Sequence, residues 1–258
     1  IFNECCRNLK YLTKMELAGM TYAAIADGRI RFERALAASD KANLLKVSEQ
    51  GLIRFLDDLS ENDIFERYFA YRCRTITESV HKFSKTVKSF DGITFGTNAY
   101  SPIGARIVGQ NYNEYDGIYD YLQPLLGYTE WHIYEPIAAW GRYLCRHAGL
   151  NEAVAVEIAK RLFCLGDTIC PDNFAELDSA GEGNDRSAHS MFSAELKMCE
   201  EFTARPYKIT PIIRGKTWSK TFTDDVIHEI GQSPFNAYVF QGPDYLLKGI
   251  PHSIKWNL

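Results

Sequence analysis

DGITFGTNAYSP, residues 91–102, is the stretch that decides the predicted fold. Ile93 and Phe95 alternate with polar residues and Pro102 ends the run, which is the pattern of a short β-strand. We predict this strand over about residues 93–99, with its carboxyl end at Asn98 to Tyr100.

Three later segments are also predicted to be strands, at about residues 121–128, 207–213 and 236–241. Helices are predicted over residues 8–60, 62–90, 133–147, 151–165, 184–204 and 221–233. Strands that alternate with helices are typical of βα units and a parallel sheet. IFNE at residues 1–4 is interpreted as the tip of one earlier strand. We therefore predict an α/β fold, a (β/α)8 TIM barrel, with residues 1–258 forming the C-terminal part of that single domain and the N-terminal strands missing from the segment.

Composition excludes several classes of protein. Lys plus Arg is 29 and Asp plus Glu is 33, so the net charge of −4 gives no electrostatic basis for binding nucleic acid. No apolar run reaches the roughly 18 residues that a membrane helix needs. The seven cysteines follow neither a disulfide nor a zinc spacing, which favours reduced thiols over a metal site. Reduced thiols favour the cytoplasm, but the sequence leaves the compartment open, and no cofactor is predicted. A half barrel would leave two open sheet edges, which predicts a homo-oligomer.

Four pieces of the chain carry a resemblance to a known family. They are IFNE with CCRN, the helix FAYRCRTITESVHKF, the run ITFGTNAYSP with VGQNYNEYDGIYDYLQPLLGY, and the closing pair ITPIIRG and AYVFQG. In this order they resemble the second half of a glycoside-hydrolase-like TIM barrel, similar to the family 42 β-galactosidase barrel and to uncharacterised glycosyl hydrolases of bacteria. The resemblance covers about 180 of the 258 positions. It implies hydrolysis of O-glycosidic bonds and a carbohydrate substrate.

In a parallel barrel, active-site residues lie at the carboxyl ends of the strands because the βα loops converge there. Aromatic side chains can stack on a sugar ring, and polar side chains can bind its hydroxyl groups. The predicted substrate-binding residues are Asn3, Asn98, Tyr100, Tyr128, Trp131, Arg214 and Gln241.

Glycoside hydrolysis needs two carboxyl groups on either side of the scissile bond, about 5–5.5 Å apart for retention and about 6.5–9.5 Å apart for inversion. The resemblance implies that Glu4 is the general acid/base and that Asn3 binds the sugar 2-hydroxyl. The family places its second acid at the end of strand seven, where ITPIIRGKTW has none. Glu130 is the best-placed substitute as base or nucleophile, ahead of Glu135 and Asp244.

Other interpretations of the same residues stay open. Asn3 and Glu4 could cap the helix that follows, and Glu130 could be a solvated residue before a helix. The missing acid and the many aromatic residues also favour a non-catalytic carbohydrate-binding barrel. A third possibility is a barrel enzyme of another class, which binds an anionic substrate through Arg214 and Lys216.

Overall fold

A computed structural model describes residues 15–16, 19–128, 130–179, 185–201, 208–214 and 219–241, with the backbone alone for residues 130, 131, 185, 214 and 220. The N-terminal part of this range is helical, with α1 Tyr22–Ala38, α2 Lys41–Ser48, α3 Leu52–Ser60 and α4 Ile64–Val87. The remaining elements are β1 Gly96–Ala99, a 3-10 helix Tyr112–Tyr115, β2 Tyr121–Leu126, a π-helical turn Glu130–Tyr134, α5 Glu135–Ala148, α6 Glu152–Leu162, α7 Phe174–Asp178, α8 Asp185–Glu201, β3 Ile212–Arg214, α9 Lys220–Gln232 and β4 Val239–Gln241.

Several helices begin where a polar side chain accepts a hydrogen bond from an unsatisfied backbone N–H of the first turn. Thr21 caps α1 by accepting from the N–H of Ala24 at 3.1 Å. Asn151 caps α6 by accepting from the N–H of Val154 at 3.0 Å. These local contacts fix where the helices start, and tertiary packing of their apolar faces then stabilises them.

The four strands form one parallel sheet in the order β1-β2-β3-β4. Ala99 is opposite Pro124 in β2, Leu126 of β2 is opposite Ile213, and Arg214 of β3 is opposite Gln241. Because all four strands run the same way, their carboxyl ends lie at one edge, which we call the carboxyl edge.

The buried apolar side chains form two clusters. The helical core joins α1 to α6, and the sheet core packs the 3-10 helix, α8 and α9 against the strands. Helix α8 belongs to both, since Met191 and Met198 pack in the helical core while Phe192 and Leu196 pack in the sheet core. One side of the sheet is thereby joined to the helical region through α8.

The predicted TIM barrel is wrong. Most described residues are helical, and the strands make a small four-stranded sheet in which β1 pairs with β2 and β4 pairs with β3, without closure among the described residues. The alternation of strands and helices misled the prediction because it is shared by barrels and open sheets. Helices α1 to α3 and α5 to α7 pack mainly against one another in the helical core, so they are not the outer layer of a barrel.

In the part of the chain that the structure describes, no helix combines the length and apolar character needed to cross a bilayer. The five cysteines described there are all free thiols.

Candidate functional site

The carboxyl edge of the sheet gathers side chains from segments far apart in sequence. Tyr100 and Ser101 follow β1, Gly127 and Tyr128 follow β2, and Gln241 ends β4. Binding residues are often carried by loops that a rigid scaffold positions, and here loops follow the carboxyl ends of parallel strands. We therefore take this edge as the candidate functional site.

Three rings pack together at this edge, with Tyr128 stacked on His132 and Tyr100 tilted against it. The ring of His132 lies 4.1 Å from that of Tyr100 and 5.3 Å from that of Tyr128, measured between centroids. The π-helical turn after β2 makes this possible, since the backbone N–H of His132 donates to the carbonyl of Tyr128 at 2.9 Å. The side chains of Tyr100 and Tyr128 are half-buried, so part of their aromatic surface is open to solvent beside polar groups.

His132 is nearly enclosed, with 8% of its surface exposed. Burial lowers the pKa of His132 to about 4, so its imidazole is neutral at pH 7. Its Nδ1 makes no hydrogen bond within the described chain. Buried polar atoms in folded proteins are nearly always paired, so an unused ring nitrogen beside two tyrosines is a feature that calls for a functional explanation.

A side-chain hydrogen bond joins the carboxyl ends of β2 and β4 across β3. The hydroxyl of Tyr128 donates to Oε1 of Gln241. Neighbouring strands are about 4.8 Å apart, so this contact bridges about twice that distance, over the end of β3 where Arg214 lies. The amide of Gln241 is thus held next to the aromatic stack.

Glu195 on α8 joins the residues that follow β1 and β2. One carboxylate oxygen accepts a hydrogen bond from Oγ of Ser101 at 2.5 Å, and the other accepts from the N–H of Gly127 at 2.9 Å. The side chain is fully buried. Burial raises the pKa of Glu195 to about 7, against the opposing effect of these two hydrogen bonds. Because it is enclosed, Glu195 positions the residues beside Tyr100 and Tyr128 and does not itself face a ligand.

The backbone of Tyr100 is held independently. Its N–H donates to Oε1 of Gln110 at 2.6 Å, and its carbonyl accepts from the hydroxyl of Tyr112. Burial raises the pKa of Tyr100, and the charges of Glu135 and Glu195 add to this effect. The carboxylate of Glu135, in the first turn of α5, is therefore within electrostatic range of the site.

The predicted site residues divide into four groups. The structure brings Tyr100, Tyr128 and Gln241 together, and it places Asn98 within β1 as an exposed residue. Glu130 and Trp131 lie in the turn after β2 and Arg214 ends β3, so their backbones are at the same edge. Asn3, Glu4, Lys216 and Asp244 lie outside the described residues.

The sequence analysis did not predict Ser101, His132 or Glu195 as site residues. Glu195 carried a usable signal, because it lies within the apolar stripe formed by Met191, Phe192, Leu196 and Cys199. An acid on such a stripe must be buried and paired. Its partners, at sequence separations of 94 and 68 residues, could not be read from the chain.

Within the described ranges, no group of three His, Cys, Asp or Glu side chains is placed to hold a metal ion. Comparison of the chain with known protein families, with curated proteins and with solved structures finds no match.

Proposed function

We propose that the carboxyl edge of the sheet binds a carbohydrate. The observation that carries this proposal is the convergence of three aromatic rings, from Tyr100, Tyr128 and His132, with the amide of Gln241. Aromatic rings provide apolar faces for the C–H face of a sugar, while phenol and amide groups donate and accept hydrogen bonds with its hydroxyls. A few oriented polar groups among aromatic side chains are typical of small-molecule sites.

The neutral state of His132 supports an uncharged ligand. At pH 7 its ring brings no positive charge to the rings of Tyr100 and Tyr128, so it gives no electrostatic preference for an anion.

Hydrolysis of an O-glycosidic bond is the reaction that we propose for this edge. Two carboxyl groups must flank the bond, and Glu4 as general acid with Glu130 as base or nucleophile remains the pair expected from the sequence. Glu130 begins the turn that carries His132, and the charge of Glu135 reaches Tyr100, which supports acids near the rings. Binding without hydrolysis is the competing function.

Calorimetric titration with a panel of neutral oligosaccharides tests binding. Removing the ring in Tyr100→Ala is expected to weaken binding about tenfold, the loss of one stacked ring and its contact area. Tyr22→Ala is the matched control, because Tyr22 is half exposed at the start of α1, away from the sheet. Equal affinities for the two variants would show that the Tyr100 ring does not contribute to sugar binding.

Release of reducing sugar tests hydrolysis. Glu4→Gln and Glu130→Gln are each expected to abolish turnover while sugar affinity is kept, because each removes a proton-transferring group without a change of size. Glu78→Gln, an exposed acid on α4, is the control. Saturable sugar binding with no released product from the unaltered protein would leave the non-catalytic binding function in its place.

A further inference from the structure

We infer that the helical region carries a second ligand site, for a flat aromatic molecule with one anionic group. The site is a cavity of about 430 Å³ between α1, α3, α4 and α5. None of the carboxyl-edge residues line it, so the inference does not depend on the carbohydrate site.

The inner surface of the cavity is aromatic and fixed. Phe32, Phe65 and Phe69 are buried and form its floor. Tyr143 stacks nearly parallel to Phe32, with ring centroids 6.4 Å apart, and Trp140 meets Tyr143 edge to face at 5.6 Å. The cavity opens to solvent on one side, so a ligand can enter it without a rearrangement of the core. Its volume falls within the roughly 300–1,000 Å³ of small-molecule sites.

The charged groups around the cavity are two arginines and one glutamate. Glu33 accepts a hydrogen bond from the hydroxyl of Tyr143 at 3.4 Å, and its carboxylate is 3.8 Å from Nε of Arg29. Arg72 donates to the carbonyl of Ile107 at 2.7 Å, a neutral acceptor that leaves its charge uncompensated there. The cavity lining therefore carries an excess of one positive charge.

This combination specifies the ligand. The aromatic floor and walls favour a planar apolar body, which buries its surface against rings. The guanidinium of Arg29, more than half exposed, is free to reorient toward a sulfonate or carboxylate at the opening. A cation at the same place would face both arginines, so the electrostatics favour an anion.

Two fluorescent probes that differ by a single group test the preference for an aromatic body and the preference for an anionic group separately. 8-Anilinonaphthalene-1-sulfonate carries the aromatic body and the anion, and N-phenyl-1-naphthylamine carries the body alone. Both are titrated into the full chain, and fluorescence reports the affinity of each. We expect saturable binding of both probes at one site.

Ala139→Trp tests the place of binding. Ala139 is an exposed residue of α5 that lines the cavity, so a large side chain there should block entry and weaken both probes at least about tenfold. Ala38→Trp adds the same side chain at an exposed position of α1 that does not line the cavity, and it should change neither affinity. Unchanged probe binding in Ala139→Trp would show that the probes do not bind in this cavity. No saturable binding in the unaltered protein would likewise contradict the proposed ligand site.

Arg29→Ala tests the charge at an exposed position where loss of the side chain leaves the fold intact. We expect it to weaken the sulfonate about fivefold, the contribution of a partly exposed ionic contact, and to leave the neutral probe unchanged. Arg34→Ala removes the same charge from the same helix outside the cavity, and it should affect neither probe. Equal effects of the two variants, or an equal loss for both probes in Arg29→Ala, would overturn the anionic preference.

Discussion

Among the residues that the structure describes, the helical region and the sheet region each contain one buried carboxylate, and the two are used differently. Asp57 on α3 accepts hydrogen bonds from the N–H groups of Phe65 and Glu66, both at 2.9 Å, at the start of the neighbouring helix α4. Glu195 instead joins Ser101 and Gly127, which end two separate strands. Asp57 links segments 8 and 9 residues apart, whereas Glu195 links segments 94 and 68 residues apart.

This difference shows where specialised structure lies in the molecule. The helical region uses its acid as a helix cap, a local task that helix N-termini favour because of their positive end. The sheet region uses its acid to hold the two loops that carry Tyr100 and Tyr128. Glu195 therefore orders the loops beside the three aromatic rings of the carboxyl edge, which supports the proposed binding site there.

The largest effect is expected from Glu195→Ala. The change leaves the Ser101 hydroxyl and the Gly127 N–H buried without an acceptor and opens a cavity, so the free energy of unfolding should fall by about 4 kcal/mol. Urea denaturation measures it, with Glu201→Ala at the exposed end of the same helix as control. A loss as small as that of the control would show that Glu195 does not hold the strand ends.

The free energy of unfolding should depend on pH through Glu195 of the sheet region. The folded-state pKa of Glu195, about 7, lies above the ordinary value of 4.5, so the folded protein keeps a proton that the unfolded chain has lost between these values. Its contribution is fully present below about pH 4.5 and is lost as pH rises through 7, by an amount on the order of 3 kcal/mol.

Glu195→Gln keeps the shape and removes the titration. The difference in unfolding free energy between the variant and the unaltered protein should therefore shift in favour of the variant from pH 5 to pH 8. Parallel stability curves over that range would contradict the raised pKa.

Asp57→Ala should have a smaller effect, a loss of about 2 kcal/mol, because the freed N–H groups lie at a helix end that water can reach in part. Asp58→Ala, the exposed neighbour, is the matched control for the urea midpoint. Affinity at the carboxyl edge should be unaffected by both variants. A change in sugar binding in Asp57→Ala would mean that the two regions are coupled.

The smallest effect on stability is expected from Tyr128→Phe, which removes the hydrogen bond to the exposed Gln241 and should cost about 1 kcal/mol or less. A double-mutant cycle with Gln241→Ala isolates the pair. We expect a positive coupling energy in the denaturation midpoints. Strict additivity would show that the contact contributes nothing.

Local patterns in the sequence predicted the elements well and their assembly poorly. The predicted strands at 93–99, 121–128, 207–213 and 236–241 overlap β1 to β4, and the sheet is parallel as expected. Phe65, Phe69 and Phe83 share one apolar face of α4 at a 3.6-residue period, and Phe65 and Phe69 are buried, but Phe83 is 63% exposed. Periodicity shows that a helix has an apolar side, but it does not show what lies opposite each turn, and this is why the packing of helices in a separate core was missed.

The candidate site was predictable in the same partial way. Parallel strands bring their carboxyl ends together, so Tyr100, Tyr128 and Gln241 could be proposed from strand order alone. The position of His132 and the partners of Glu195 could not, because the π-helical turn that carries His132 and the packing of α8 against the sheet are set by tertiary contacts.

The central claim is that a neutral sugar contacts the stacked rings at the carboxyl edge. Nuclear magnetic resonance of the imidazole groups tests it directly, with the His132 signals assigned by their loss in His132→Gln. We expect a bound oligosaccharide to shift the His132 signals while those of His81, exposed on α4, stay in place. Saturating sugar that leaves the His132 signals unmoved would contradict it.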